Sequence, residues 1–516
     1  MSETDNTVLE MKGVCKSFGT SVALQDVHFH LKAGEIHGLL GGNGAGKTTL
    51  MNILFGLYRG DACEISLRGE WVDVDSPRAA IRHKIGMVHQ QFLQIKSFSV
   101  LHNIVLGTPV QHKLTLDLEN EEKKLNQLAQ RFGLEVDLHT LIEELPMGVR
   151  QKVEILKALY RGIEILILDE PTTNLTPQEV DSLFQSLRVM VKEGLSIIFI
   201  THKLKEVLSV CDRITVLRNG RNVLTLSREQ SSEEAFVRAM VGDEMNIEKS
   251  ILFSGRDQRG GAAVGEKMVL DIDKASLRTS EGVSVLNEVT LQVREGEILG
   301  VAGVANNGQH ELAEAILAVQ PLSSGSIRVV GMERQATTQA LLESGVAYIP
   351  EDSLLDGFLP KGSVAQNLIL GYHRQAPYSK NGFMDGNTID KMAHQLIQEF
   401  NIKTLGPGEV GANLSGGNIQ RVMIARAFSR RAKLLVAHNP TRGLDLPSTD
   451  FVYSKLLEGK QERIATLLIS ENLDELLLMC DRIAVIYRGA IVGILNREQF
   501  EKYEIGRLMS GVENSA

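Results

Sequence analysis

The sequence contains no long apolar run, and no stretch of it approaches the about 20 residues that a membrane-spanning helix needs. We therefore predict that the chain does not cross a membrane by itself. Its first residues, MSETDNTVLEMKG, lack both the basic start and the apolar core of a secretory signal. The expectation is a protein that stays in the cytoplasm, where it is made.

Cysteines are few, and an excess of basic residues is missing. The four cysteines are far apart and form no metal-type pairs, which fits reduced thiols in a reducing compartment. The formal net charge of -9 argues against a broad nucleic-acid surface, for which a basic face is expected. We therefore predict no nucleic-acid partner and interpret the acidic balance as a matter of solubility.

The chain carries an internal duplication. LPMGVRQKVEI and LSGGNIQRVMI begin at residues 145 and 414, ILILDEPTTNL and LLVAHNPTRGL at 165 and 434, and CDRITVLRNG and CDRIAVIYRG at 211 and 480. The members of each pair are 269 residues apart, the difference between 145 and 414 and equally between the other two pairs of starts. Three anchors in one register indicate duplication.

The duplication sets the expected domain organisation. At about 150 residues per domain the 516 residues would suggest about three domains, and the repeat lowers this to two. We predict a first domain at 1–241, a polar, Gly-rich linker at 242–267 and a second domain at 268–516. Short apolar runs such as ILIL and SIIFI alternate with helical segments. This pattern predicts an α/β fold, with a mainly parallel sheet covered by helices in each domain.

The segment GGNGAGKT fits the phosphate-loop pattern G-x-x-x-x-G-K-[ST]. The strand-like run EIHGLL precedes it, and TLMNILFGL follows with helical spacing, which disfavours the alternative of an ordinary Gly-rich turn. Glycines let backbone N–H groups approach phosphates, Lys47 carries a charge for the outer phosphates, and the Thr48 hydroxyl can bind magnesium. The residues predicted to bind ATP with Mg²⁺ are Gly41, Gly42, Asn43, Gly44, Ala45, Gly46, Lys47, Thr48 and Thr49.

An acidic pair ends a second apolar run. In ILILDEP, Asp169 would lie beside the magnesium, and Glu170 could orient and deprotonate the attacking water. Such a pair can also simply end a strand, and the segment alone does not separate the two interpretations. The phosphate loop upstream favours the functional one.

The order of these segments resembles that of the ABC transporter ATPases, and the resemblance covers nearly the whole chain twice. It rests on the phosphate loop, Gln90 in IGMVHQQF, a signature-type segment, LILDEP and His202 in FITHKL. It implies a P-loop ABC-type ATPase fold with a helical subdomain in each half. It also implies that Gln90 contacts the metal and water and links the site to a membrane subunit, and that His202 contacts the γ-phosphate. Phe18 matches the aromatic residue that stacks on adenine, although a Phe at such a place is often part of the core.

The second copy lacks the residues needed for hydrolysis. Its loop reads GVANNGQH, with Gln309 in place of the lysine and His310 in place of the Ser/Thr. The other site positions carry Glu351, His438, Asn439 and Glu471. Because Asn439 cannot accept a proton from water, we expect hydrolysis at this copy to be lost or very slow.

The signature-type segments show the opposite pattern. LSGGN is intact in the second copy, where Ser415, Gly416 and Gly417 can present a hydroxyl and N–H groups to a phosphate at a helix start. In the first copy Pro146 removes both the hydroxyl and the N–H, and Met147 adds bulk where glycine would allow close approach. Pro146 still suits the start of a helix, so the fold need not change.

The family resemblance explains how the intact and damaged motifs are distributed between the two copies. In ABC ATPases two domains meet head to tail, and each ATP lies between the phosphate loop of one and the signature of the other. Pairing the copies in this way collects every intact element in one site and every damaged element in the other. The sequence therefore predicts one competent composite site within a chain. It disfavours a homodimer of first copies, because Lys47 would then face Pro146 and Met147.

Two classes of protein fit two such domains without a membrane segment: the energising subunit of an importer, and a soluble tandem ATPase that acts on ribosomes. Members of the second class usually have two competent sites joined by a long charged helical linker. This sequence has one degraded site and a short linker, so it fits the importer class better. A non-catalytic nucleotide-binding scaffold is disfavoured because Lys47, Gln90, Asp169, Glu170 and His202 are all present.

Finer similarity favours the importers of simple sugars and nucleosides. NNGQHEL, AYIPED, NLSGGNIQR and NPTRGLD resemble the second domain of those importers, and GMVHQQF, NIVLG and KVEILKALYRG are most similar to the nucleoside branch. The resemblance implies two membrane permeases and a substrate-binding lipoprotein as partners, with the chain at the cytoplasmic face of the membrane. Residues from Phe92 to Ile104 are expected to touch a permease, with ordinary packing as the alternative. Nucleosides, monosaccharides and flavin-like molecules remain open as the transported substrate.

Overall fold

The structure, a computed structural model, describes residues 6–19, 21–90, 92–107, 117–173, 175–230, 232–242, 250–253, 264–279, 281–333, 337–430 and 432–511. The chain divides into two compact units, Met1–Met245 and Asn246–Ala516. Residues 243–249 and 254–263 of the predicted linker lie outside the described residues. No helix in the described part of the chain is both long enough and apolar enough to span a membrane.

The first unit alternates strands and helices. Its strands are β1 (Thr7–Phe18), β2 (Ser21–Lys32), β3 (Ile36–Leu40), β4 (Ala62–Leu67), β5 (Glu70–Trp71), β6 (Ile85–Val88), β7 (Ile165–Asp169), β8 (Ser196–Thr201), β9 (Arg213–Arg218) and β10 (Arg221–Ser227). Its helices are α1 (Lys47–Leu54), α2 (Pro77–Arg82), α3 (Val100–Val105), α4 (Leu118–Phe132), α5 (Met147–Tyr160), α6 (Pro177–Lys192), α7 (Leu204–Val210) and α8 (Glu233–Val241).

The central sheet of the first unit has the strand order β10-β9-β3-β8-β7-β6. All neighbours in it are parallel except β9 and β10. Every residue of β3, β6, β7 and β8 is buried, which explains why these strands occur in the sequence as continuous apolar runs. The predicted α/β fold with a mainly parallel sheet is confirmed.

The first unit also contains features that the apolar runs did not predict in detail. A separate antiparallel sheet has the order β2-β1-β4-β5, and its strands mix buried and exposed residues, so they lack a continuous apolar run. Helices α3, α4 and α5 share their own hydrophobic cluster, which includes Val100, Leu125 and Leu156. This cluster forms the helical subdomain that the family resemblance implied.

The second unit repeats this plan. Its strands are β11 (Met268–Arg278), β12 (Ser284–Arg294), β13 (Ile298–Ala302), β14 (Ser324–Val329), β15 (Met332–Glu333), β16 (Val346–Ile349), β17 (Ser379–Lys380), β18 (Phe383–Met384), β19 (Leu434–His438), β20 (Ala465–Ser470), β21 (Arg482–Tyr487) and β22 (Ala490–Asn496). Its helices are α9 (Gln309–Ile316), α10 (Thr338–Ser344), α11 (Val364–Leu368), α12 (Gly386–Glu399), α13 (Gly416–Phe428), α14 (Leu446–Gln461), α15 (Leu473–Met479) and α16 (Lys502–Met509).

The main sheet of the second unit has the order β16-β19-β20-β13-β21-β22, which is the same arrangement as in the first unit. The duplication in the sequence is therefore a duplication of architecture. Part of the predicted linker belongs structurally to this unit: Ser250 Oγ donates a hydrogen bond to Asp450 of α14 at 2.8 Å, and Ile251 and Leu252 pack against the core of the unit.

Candidate active site

The glycine-rich loop of the first unit joins the central strand β3 to helix α1. Gly46 has φ +101°, and a Cβ at this residue would lie 2.6 Å from Leu24 Cδ2 and 2.8 Å from the Ala23 carbonyl oxygen. A Cβ at Gly41 would lie 2.4 Å from the Leu217 carbonyl oxygen. Only glycine therefore fits these two positions, because any side chain would collide with backbone atoms.

Lys47 begins α1 and is almost completely buried. Its Nζ donates hydrogen bonds to the carbonyl oxygens of Gly41 at 2.8 Å and Gly42 at 3.0 Å. Burial lowers the pKa of Lys47, and the nearby carboxylates of Glu170 and Asp169 oppose this shift. The loop thus holds a cation at the start of a helix, where backbone N–H groups also favour an anion.

Asp169 is the last residue of β7 and is buried beside α1. Its carboxylate receives a hydrogen bond from the Thr48 side chain. Burial raises the pKa of Asp169 to about 6, against the opposing effect of that hydrogen bond. A buried carboxylate next to a hydroxyl offers hard oxygen ligands, and the residues present therefore fit the Mg²⁺ that the sequence predicts.

The other loop residues differ in exposure. Asn43 and Gly44 form the exposed tip, Ala45 is buried, and Thr49 is half-buried on α1. Gly44 has φ +75°, and a Cβ there would meet nothing within 4 Å, so glycine is needed at this position for its backbone conformation.

Glu170 lies just beyond β7 and is held from two sides. His202 Nδ1 lies 2.8 Å from Glu170 Oε1, and Gln90 Nε2 donates to Glu170 Oε2 at 3.1 Å. These three residues follow strands β7, β8 and β6, whose carboxyl ends meet at the same edge because the strands are parallel. The structure thus brings together three residues that are far apart in the sequence.

The backbone and the charge of Glu170 are both set by its surroundings. Its φ is +48°, which is uncommon for a residue other than glycine, and its N–H donates to the Ile200 carbonyl oxygen at 2.9 Å. Burial alone would raise the pKa of Glu170, but the His202 hydrogen bond and the charge of Lys47 bring it below the usual range. Glu170 is therefore ionised near neutral pH and able to accept a proton.

Phe18 ends β1 and is exposed, so the structure does not place it in the core. Its ring packs edge to face against Tyr58 with centroids 5.4 Å apart, and Lys16 Nζ lies 5.5 Å from the ring centroid. The aromatic neighbour of Phe18 is thus Tyr58, which follows α1.

The second unit builds the same loop with other side chains. Gln309 Nε2 donates to the Val304 carbonyl oxygen at 2.9 Å, the bond that corresponds to the one from Lys47 to Gly42. Gln309 Oε1 accepts the N–H of Asn307 at 2.9 Å. A loop N–H of the kind that binds phosphate in P-loops is thus already satisfied by a neutral side chain.

Asn439 takes the place of Glu170 with nearly the same backbone. It has φ +45°, and its N–H donates to the Ile469 carbonyl oxygen at 2.7 Å. Its side chain donates to Glu351 Oε1 at 3.1 Å and accepts the N–H of Glu471 at 3.0 Å. The geometry of the catalytic position is therefore retained in the second unit, while the proton acceptor is not.

Helix α13 in the second unit begins at the intact signature. Ser415 directly precedes this helix and is exposed; its side chain makes no capping hydrogen bond, and its Oγ accepts one from Asn418 Nδ2 at 2.8 Å. A Cβ at Gly416 would meet nothing within 4 Å, whereas one at Gly417 would lie 2.9 Å from Ser448 Oγ. In the first unit α5 begins at Met147 with Pro146 as its cap, so the helix start is kept there without the hydroxyl.

Sequence reasoning interpreted His310, Glu351 and His438 only as losses. The structure places one ligand-type atom of each within 4.8 Å of the others. The signal for this cluster was present in the repeat, because the three residues occupy the positions of Thr48, Gln90 and Asp169, which we predicted as metal ligands.

The known proteins that this chain resembles all belong to one family. The family described as ABC transporter matches residues 24–173 and 286–442. The chain is 42% identical to the nucleoside import ATP-binding protein NupA of Lactococcus lactis subsp. cremoris, over 98% of this chain and 99% of that protein. It is 39% identical to the guanosine import ATP-binding protein NupO of Bacillus subtilis, over 98% and 97% of the two chains.

A sugar importer is also similar. The glucose import ATP-binding protein TsgD13 of Haloferax volcanii is 39% identical over 98% of this chain and 96% of its own length. The matches extend over nearly the full length of both units and include the phosphate loop and the strand that ends in Asp169. The chain therefore belongs to the ABC transporter family, as an ATP-binding subunit with two fused nucleotide-binding units from the nucleoside and sugar importer branch.

Proposed function

We propose that this chain hydrolyses ATP at a single centre in its first unit and thereby energises the import of nucleosides or related small solutes. The observation that carries the proposal is the arrangement of Gln90, Glu170 and His202 beside Lys47, together with the replacement of every corresponding residue in the second unit.

Each predicted site residue of the first unit has a defined role in the proposed hydrolysis. Lys47 and the loop N–H groups bind the phosphates, and Phe18 stacks on the adenine. Glu170 orients the attacking water and accepts its proton, while His202 holds Glu170 and contacts the γ-phosphate. Bound Mg²⁺, held by Thr48, Asp169 and Gln90, would neutralise charge on the phosphate oxygens.

We further propose that Ser415, Gly416 and Gly417 of the second unit contribute to ATP binding in the hydrolysing site. The support is chemical: α13 starts with an exposed hydroxyl and an open glycine, both suited to a phosphate. The start of α5 carries Pro146 and Met147 instead, which offer neither group.

Replacing Gly416 by Asp is expected to lower the ATPase rate at least about 10-fold, because the new carboxylate would repel the phosphates. The fold should tolerate the change, since a Cβ at Gly416 meets nothing within 4 Å. Met147→Asp, at the corresponding position of the first unit, is the matched control and should change the rate less than about twofold. The steady-state ATPase rate and the melting temperature of both variants check this; equal losses would contradict the proposed role of the signature.

The proposed docking surface for the permeases consists of Leu93, Ile95 and Phe98 in the first unit. These apolar side chains are exposed, with 67% of Leu93 accessible, whereas Val100 and Ile104 of the predicted range are buried in the helical subdomain. The segment that follows β16 in the second unit also exposes leucines, and Leu355 is 82% accessible. Such exposed apolar residues on a helical subdomain fit contact with a partner protein.

In this proposal two membrane permeases and a substrate-binding lipoprotein complete the machine, and the chain lies at the cytoplasmic face of the membrane through the permeases. The nucleoside and guanosine importers among its relatives support a nucleoside as the transported molecule. A monosaccharide is the second candidate, because the glucose import protein is also 39% identical.

The test is uptake in cells that depend on this chain. When Glu170→Gln replaces the wild-type chain, uptake of labelled adenosine and guanosine should fall to background while uptake of ribose and glucose is unchanged. Leu93→Glu should reduce the fraction of the chain recovered with the membrane. Loss of sugar uptake with normal nucleoside uptake would instead identify the monosaccharide alternative.

A further inference from the structure

Three side chains of the second unit converge where the first unit has its predicted magnesium ligands. His310 is the second residue of α9, as Thr48 is of α1, and His438 ends β19, as Asp169 ends β7. Glu351 follows β16 by two residues, as Gln90 follows β6. One nitrogen or oxygen ligand atom of each lies within 4.8 Å of the others.

The replacements change the kind of metal that these positions suit. A hydroxyl, an amide and a carboxylate supply hard oxygen ligands, which Mg²⁺ prefers. Two imidazoles and one carboxylate are the ligands of zinc sites that keep a fourth position open. Since His310 is exposed, that fourth position would face solvent and be accessible to water or a phosphate oxygen.

We propose that His310, Glu351 and His438 form a binding site for Zn²⁺ or a similar transition-metal ion in the second unit. The site occupies the position that corresponds to the magnesium site of the first unit and is chemically distinct from it.

The spacing of the ligand atoms supports this proposal. His438 Nε2 lies 3.5 Å from Glu351 Oε2, which is long for a hydrogen bond. Metal–ligand bonds of about 2.0–2.1 Å in a tetrahedron separate neighbouring ligand atoms by about 3.4 Å. The pair thus has the separation that a shared zinc ion requires.

Buried His438 is otherwise without a hydrogen-bonding role. Its Nδ1 has no hydrogen-bond partner among the described residues, although only 3% of the residue is exposed. The buried ring is therefore available as a metal ligand.

Neighbouring groups hold Glu351 and contact His310. Asn439 Nδ2 and the Arg442 guanidinium both contact Glu351 Oε1, so Oε2 remains directed at His438. His310 Nε2 lies 3.3 Å from Glu314, one turn along α9. Carboxylate and amide partners of this kind commonly orient zinc ligands.

The experiment is a zinc titration of the full-length protein after removal of metals with a chelator. A chromogenic zinc indicator competes for the metal, and Co²⁺ serves as a second probe through its visible absorption. We expect one tightly bound Zn²⁺ per chain that excess Mg²⁺ does not displace. His310→Thr, which introduces the residue of the first unit at an exposed position, should weaken binding at least about 10-fold.

Matched variants separate this site from other ligands. Thr48→Ala changes the corresponding position of the first unit and should leave zinc binding unchanged, as should Cys15→Ser and Cys63→Ser, which remove the two partly exposed thiols. His438→Asn should weaken binding like His310→Thr and should abolish the tetrahedral Co²⁺ spectrum. The absence of stoichiometric zinc, or equal zinc affinity of wild type and His310→Thr, would overturn the proposal.

Discussion

Glu170→Gln is expected to lower the ATPase turnover number at least about 100-fold while ATP binding is retained. The carboxylate is ionised near neutral pH, and its two oxygens contact His202 and Gln90. Glutamine keeps the size and the planar group but cannot accept a proton from water. The loss should therefore fall on turnover, which single-turnover ATP hydrolysis together with binding of a fluorescent ATP analogue will separate from affinity.

The control for this prediction lies at the corresponding position of the second unit. Asn439→Asp supplies a carboxylate with nearly the same backbone geometry. It should nevertheless add no measurable hydrolysis, because Gln309 still replaces the lysine that binds phosphate. Substantial activity in Glu170→Gln, or its recovery in the double variant with Asn439→Asp, would contradict a single hydrolysing centre in the first unit.

Lys47→Ala should reduce both ATP affinity and turnover, with a fall in the ATPase rate on the order of 100-fold or more. The reason is that Lys47 supplies a positive charge inside the loop, held by the carbonyl oxygens of Gly41 and Gly42. Removing it leaves only neutral N–H donors for a highly charged ligand. ATPase assays over a range of ATP concentrations will give both parameters.

Gln309→Ala is the matched variant for Lys47→Ala. Gln309 bonds only to the backbone of its own loop among the contacts described for it, through Val304 and Asn307. We expect less than about a twofold change in the ATPase rate and at most a small decrease in the melting temperature. Equal loss of activity in Lys47→Ala and Gln309→Ala would show that both units hydrolyse ATP, contrary to the proposal.

Much of the fold followed from local patterns in the sequence. The inner strands of the two main sheets, such as β7 and β20, are buried throughout, so they occur as continuous apolar runs that a local pattern can reveal. The antiparallel sheet of β1, β2, β4 and β5 was not predicted, because its strands mix exposed and buried residues and β1 pairs with β4 across the intervening β2, β3 and α1. Pairing of that kind depends on partners that a local pattern does not contain.

Some features of the candidate site can also be recognised in the local sequence, whereas others appear only in the folded structure. The phosphate loop is contiguous, so its spacing alone marked it in the sequence. That a side chain at Gly41 or Gly46 would collide with its surroundings is a finding of the structure. Gln90, Glu170 and His202 carry their roles from family resemblance, and only the folded sheet brings them within hydrogen-bond distance. Ser415 belongs to the second unit, and its part in ATP binding remains a prediction.

The sequence by itself determined the duplication, the α/β class, the phosphate loop and the loss of the lysine at Gln309, because each of these is written in adjacent residues or in a fixed repeat spacing. Only the tertiary structure decided that His310, Glu351 and His438 form a cluster of possible metal ligands. These residues come from a helix start and from the ends of two parallel strands. Their distances depend on how the sheet aligns its carboxyl ends, and no local pattern records that alignment.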